Sequence, residues 1–253
     1  MAQAVEQALP DLTLAGITSG NLDKAQKNAA ELLQQPPPIV SLPELVSLSD
    51  VVVEAAPAAA LPNIVKATLS AGKTVLVISV GALLGQEETY TALARQHGGT
   101  IRVASGAIGG LDAITSACAG RVDSVVMTTR KPPKGLAGAP YLEKNKIKVE
   151  TLTEPQVIFS GSAREACRGF PANVNVSAAV SLAGIGPDRT QIRIIADPAL
   201  DRNMHDVEII GEFGRFTTHI ENVPTKNPRS GILTALSVVA TIRKMTSPLQ
   251  VGT

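Results

Sequence analysis

Three stretches carry residue types and spacings suited to chemistry. Asp197-Pro198-Ala199-Leu200-Asp201-Arg202-Asn203-Met204-His205-Asp206-Val207-Glu208 leads into Gly211-Glu212-Phe213-Gly214 and holds His205, a group that titrates near neutrality unless its surroundings intervene. By residue type alone, a histidine in a polar loop is more often a surface residue. Ser105-Gly106-Ala107-Ile108-Gly109-Gly110-Leu111-Asp112 places glycines just after a strand-like run. Such glycines either let a ligand approach the backbone without Cβ collisions or make a tight turn between domains. Phe170-Pro171-Ala172-Asn173-Val174-Asn175 brings two asparagines to the start of a small-residue helix. There they serve as caps or as paired donor and acceptor groups for an amide-bearing ligand.

Lesser signals surround these. Glu54-Ala55-Ala56-Pro57 follows a run of valines, and Lys131 stands in Arg130-Lys131-Pro132-Pro133, where it either meets a carboxylate or lies in a solvated basic loop. Asp112 either orients a neighbour or caps a helix, and His97 and His219 read as structural.

The elements that must position these groups change character along the chain. Residues 2–9 read as a helix stopped by Pro10, and residues 12–18 as a short buried strand. Asn21 can cap a helix over 22–33, which Pro36-Pro37-Pro38 ends. Strands over 51–53, 74–80 and 100–104 alternate with helices over 58–71 and 87–97, the pattern of βαβ units in a parallel sheet covered on both faces. From Ala113 onward the alternation gives way to a strand over 122–129, a helix over 172–183, and runs over 191–196, 206–210 and 216–220 that read as successive antiparallel strands. A last helix over 231–245 begins after Pro228. The fold class is α/β: a Rossmann-type doubly wound parallel sheet over 1–112, an α+β domain over 113–228, and a C-terminal helix over 229–253 that returns to the first domain.

Composition narrows the functions. The 253 residues carry a formal net charge of +1 and 2% aromatics, with no Trp, which argues against nucleic-acid or membrane-surface partners. Cys118 and Cys167 show no CxxC or Cys/His spacing, so no metal site or disulfide framework is expected and a reducing cytoplasm is the expected setting. No apolar run reaches the ~18 residues of a spanning helix, and MAQAVEQALPDL has no basic region of a signal peptide.

A dinucleotide-binding sheet normally opens with a strand and GxGxxG, whose backbone amides meet the pyrophosphate. No such motif occurs here, and residues 2–9 and 12–18 resemble the helix and second strand that would follow it. The expectation is that the first strand and glycine turn, on the order of a dozen residues, are missing from the chain as written, and that cofactor binding is weakened accordingly. Thr18-Ser19-Gly20-Asn21 has no carboxylate to claim a ribose 2′-OH or repel a 2′-phosphate, so use of NADP as well as NAD is expected.

These stretches together resemble the L-aspartate dehydrogenase family from Met1 to Met245. The 197–205 segment is similar to its DP-x-L-x-x-N-x-H motif, and 130–133 to a TxKPP stretch. The resemblance implies that His205 is catalytic, that Asn175 reaches nicotinamide and substrate while Asn173 is structural, and that Ala107, Gly109 (often Ala in the family) and Glu54 lie at the cofactor. It further implies that Lys131 binds substrate, that NAD or NADP oxidises L-aspartate to iminoaspartate, which loses ammonia or serves quinolinate synthesis, and that the protein is a homodimer. The rival readings are a related dehydrogenase or reductase of another small dicarboxylate or imine, and a non-catalytic Rossmann-fold binding protein.

Overall fold

The computed structural model describes residues 2–9, 12–171, 174–223 and 231–252. Pro10, Asn173 and Pro228 lie outside the described residues. The chain divides into two compact units, Met1–Ala104 with Ala235–Pro248, and Ser105–Thr234 with Leu249–Thr253.

The first unit holds α1 (Ala2–Ala8), α2 (Leu22–Leu32), α3 (Leu42–Leu48), β1 (Val51–Glu54), α4 (Leu61–Ser70), β2 (Thr74–Val77), α5 (Glu87–His97) and β3 (Thr100–Val103). The strands form a parallel sheet in the order β1-β2-β3, with Val51 opposite Thr74 and Thr74 opposite Thr100. Helix boundaries follow local chemistry. Asn21 Oδ1 accepts from the Lys24 N–H at 2.9 Å to start α2, Ser41 and Glu44 form a capping box on α3, and Gly98 (φ 72°) ends α5. The strand expected over 12–18 is reduced to one parallel bridge, Ile17 to Ile39. The partner segment explains this: Pro36, Pro37 and Pro38 have no N–H to donate. Pro38 therefore offers only its carbonyl, which accepts from the Ile17 N–H at 3.0 Å, and the first donor is the Val40 N–H, to the Ile17 carbonyl at 2.9 Å.

The second unit comprises α6 (Leu111–Ala117), β4 (Val122–Lys131), α7 (Pro140–Lys144), β5 (Gln156–Ser162), α8 (Ala163–Gly169), α9 (Asn175–Ala183), β6 (Gln191–Ala196), β7 (Asn203–Gly211) and β8 (Gly214–Asn222). Its sheet runs β5-β6-β4-β7-β8. Val125, Met127, Ile192, Ile194, Val207 and Ile209 alternate onto one face and share a buried core with Ile114 of α6, Ala166 of α8 and Val180 of α9. The other face is polar, carrying Arg130, Arg193, Asp206, Glu208, Arg215, His219 and Glu221.

The expectation of three successive antiparallel strands needs correction. β7 and β8 do form a hairpin, closed at Gly211 and Gly214, but β6 pairs in parallel with β4, and β4 separates it from β7. The final helix, α10 (Ile232–Thr246), contributes Val238, Val239 and Ile242 to the apolar cluster of Leu9, Leu76 and Ala104, and Arg243 donates to the Ala8 carbonyl at 3.1 Å. No helix among the described residues is long and apolar enough to cross a membrane.

Candidate active site

In the second unit, antiparallel pairing lays the start of β7 against the end of β4, with His205 directly opposite Thr129. Thr129 Oγ1 lies 3.0 Å from His205 Nδ1, and both residues are buried. Lys131, two residues further along the same face of β4, is also buried. The Asp197-Pro198 turn makes this arrangement possible. The Asp197 N–H donates to the Lys131 carbonyl at 2.9 Å, continuing the β4–β6 pairing, while its carboxylate accepts from the Ala199 N–H at 3.0 Å and turns the chain toward β7.

Burial dominates the electrostatics here. It pushes His205 down to about 3, with the Lys131 charge adding to the effect, and pushes Lys131 down to about 8. At neutral pH the imidazole is therefore uncharged while most of the lysine remains an ammonium. Among the described residues, His205 Nε2 has no hydrogen-bond partner.

The glycine turn reaches the same end of this sheet. Gly106 (φ 65°) and Gly110 (φ 79°) are left-handed, which only glycine adopts cheaply. A Cβ on Gly109 would sit 3.5 Å from Ile220 Cδ1, and Ile220 is the β8 residue paired with His205. Asn222, buried at the end of β8, donates from Nδ2 to the Ala107 carbonyl at 2.9 Å and so pins the turn. His205, Lys131, Ala107 and Gly109 thus gather at one edge of one sheet. Thr129 falls at the threonine of the TxKPP stretch without a role assigned to it there, and Asn222 is simply one polar residue in an alternating strand.

The remaining candidates lie elsewhere. Asn175 opens α9 as an exposed residue, anchored by the buried Val174 before it. Glu54, in the first unit, is buried, and its oxygens accept from the Ala56, Ile78 and Ser79 N–H groups at 2.8, 3.2 and 2.9 Å and from Ser79 Oγ at 3.0 Å. Both oxygens are engaged within the unit, so Glu54 braces the loops at the carboxyl ends of β1 and β2. His219 lies on the opposite face from His205, 2.6 Å from Asp206 and 3.4 Å from Glu221, and these carboxylates hold its pKa above the ordinary value, the Asp206 contact most strongly. Among the described residues no group of three or more His, Cys, Asp or Glu is placed to hold a metal ion.

These features fit a nicotinamide dinucleotide. Parallel strands end in loops on one edge, where such sheets place ligands. Nothing lies within 4 Å of where a Gly106 Cβ would stand, which leaves open space on that side of the turn. The Asn175 side chain offers a carboxamide both a donor and an acceptor.

A Rossmann-type sheet in one unit, and in the other a mixed sheet with a buried histidine at its edge, define a two-domain nicotinamide-dependent oxidoreductase. Residues 1–104 match the NAD-binding domain of homoserine dehydrogenase, and residues 112–245 match the C-terminal domain of aspartate dehydrogenase. The chain belongs to the L-aspartate dehydrogenase family. It is 51% identical over 221 residues to L-aspartate dehydrogenase 3 of Bordetella bronchiseptica, covering 87% of this chain and 81% of that one. It is 44% identical over 256 residues to the L-aspartate dehydrogenase of Methanosarcina mazei, covering 100% of this chain and 94% of the relative. The crystal structure of aspartate dehydrogenase from Thermotoga maritima superposes with a TM-score of 0.73 at 27% identity, covering 95% of this chain and 100% of that one. A homoserine dehydrogenase from Thiobacillus denitrificans, at 16% identity and a TM-score of 0.56, shares the fold.

Proposed function

We propose that this protein oxidises L-aspartate with NAD or NADP to iminoaspartate, which water converts to oxaloacetate and ammonia. The observation that carries the reading is the grouping of buried His205 and Lys131 with the Ala107–Gly109 turn at one sheet edge. A bound nicotinamide would supply the acceptor for the hydride that leaves the substrate Cα. Ala107, Gly109 and Asn175 would hold that end of the cofactor, and Glu54 would act through the loops it braces. Lys131 binds a substrate carboxylate with its ammonium. The substrate ammonium must lose a proton as the hydride leaves Cα, and the hydrolysis that follows takes one proton from the attacking water and returns one to the departing nitrogen. Nε2 of His205 handles these transfers. The setting is a reducing cytoplasm, where Cys118 and Cys167, both free, remain thiols.

Formation of reduced nicotinamide on mixing the protein with L-aspartate tests the reading. The absence of a carboxylate over Thr18–Asn21 leads us to expect turnover with both nucleotides, with a kcat/KM preference for NAD below about a thousandfold, ~4 kcal/mol. A larger preference means that another group excludes the 2′-phosphate. Oxidation of a different small dicarboxylate but not L-aspartate would return the assignment to the related dehydrogenases.

The second unit's polar sheet face supports a homodimer. Arg130 and Arg193 on β4 and β6 lie across this face from Asp206, Glu208 and Glu221 on β7 and β8, a pattern that complements itself about a two-fold axis. Sedimentation equilibrium should give twice the 26.2 kDa of one chain, and Ile210→Arg, on the same face of β7, should shift the protein toward monomer. A wild-type mass of one chain at micromolar concentration rejects the dimer.

A further inference from the structure

We infer that Thr129 is the positioning residue of His205: its hydroxyl holds Nδ1 of the ring, so that Nε2 is the nitrogen presented to substrate through the gain and loss of a proton. The inference rests on the reading of His205 as the proton-handling group.

The geometry leaves the hydroxyl little else to do. Thr129 and His205 are paired residues on adjacent antiparallel strands, on the face that carries the core, where directly opposed Cβ atoms come within about 5.5 Å. A threonine in a strand has few χ1 choices, so its hydroxyl is held where the backbone puts it. Its 3.0 Å contact with Nδ1 is the only side-chain hydrogen bond that Thr129 makes among the described residues. A buried hydroxyl is costly to leave unpaired, which ties the two side chains to each other.

The chemistry favours a hydroxyl over the alternatives. A carboxylate beside Nδ1 would accept only, would favour the charged ring, and would add a negative charge close to Lys131. A methyl group would hold neither form. Nδ1 keeps its proton both in the neutral ring whose Nε2 is bare and in the charged ring, and the hydroxyl accepts from it in both, so the contact survives the gain and loss of a proton at Nε2. Burial and the neighbouring Lys131 charge keep the resting ring neutral, and a neutral imidazole with no fixed partner populates both tautomers.

Exchanging one feature of Thr129 at a time separates positioning from packing. Thr129→Val keeps the shape and removes the hydroxyl, whereas Thr129→Ser keeps the hydroxyl and removes a methyl. A packing role predicts that Val is tolerated and Ser is the worse variant, and a positioning role predicts the reverse. We expect kcat on L-aspartate to fall about 10- to 100-fold in Thr129→Val and to stay within about threefold of wild type in Thr129→Ser, with KM and NADH affinity little changed in both. An independent readout needs no turnover. The chain has three histidines, so ¹H–¹⁵N spectra of ring nitrogens can be assigned to His205 by its loss in His205→Asn. Wild type and Thr129→Ser should show a single tautomer at that ring, and Thr129→Val a mixture. Retention of a single tautomer or of wild-type kcat in Thr129→Val overturns the inference, as does a Thr129→Ser protein as slow as Thr129→Val. Wild-type turnover by His205→Asn would instead overturn the reading of His205 itself, leaving the tautomer result standing.

Discussion

His205→Asn should lower kcat on L-aspartate by at least about a hundredfold while leaving NADH affinity within about threefold of wild type. Removing a positioned acid/base group costs ~10²–10⁴ in rate, whereas removing a surface histidine costs almost nothing. The structure sharpens the contrast by supplying an internal control. His205 is buried and shares a face of β7 with the core residues Val207 and Ile209, while His219, one strand over, lies on the opposite face among carboxylates. His219→Asn should therefore keep nearly full kcat. Asparagine at position 205 still offers a polar group to Thr129, so the fold is retained and the loss falls on the chemistry. Normal turnover by His205→Asn, with loss in His219→Asn, would move the site to the other face of the sheet.

How much of this was legible in the sequence depends on the range of the interactions. The βα alternation over 51–104 was readable because valine-rich runs and capped helices are local features, as Gly98 after α5 illustrates. The 197–205 motif and the glycine turn were readable as residues, and their proximity was not, since it depends on β4 entering the sheet between β6 and β7. That insertion is set by long-range register, which no local window reports. β5 was missed because Ser160, Gly161 and Ser162 blur its alternation, and α3 and α8 because so short a helix barely establishes its period. Thr129 and Asn222 escaped for a different reason: each matters only through the residue facing it from another segment, His205 or Ala107.

Lys131 gives the second large expected effect, in which function and stability move in opposite directions. Burial lowers its pKa from 10.5 to about 8, so the folded protein holds this proton less tightly than the unfolded chain does. The unfolded state then binds more protons between about pH 8 and 10.5, stability rises with pH across that window, and below it the penalty is fully present. That penalty is of order 3 kcal/mol, from roughly 2.5 units at 1.36 kcal/mol each. Lys131→Met removes the buried charge and keeps most of the volume, so the variant should unfold at higher urea than wild type at pH 7. It should also lose the ammonium that meets the substrate carboxylate, raising KM for L-aspartate by about a hundredfold, ~3 kcal/mol, with kcat less affected. In wild type the same group should make KM climb as pH rises through about 8, where the free protein loses the charge, and Lys131→Met should flatten that limb. A lysine kept for the fold gives the reverse pattern, a variant less stable than wild type with an unchanged KM, and that result would take Lys131 out of the substrate site.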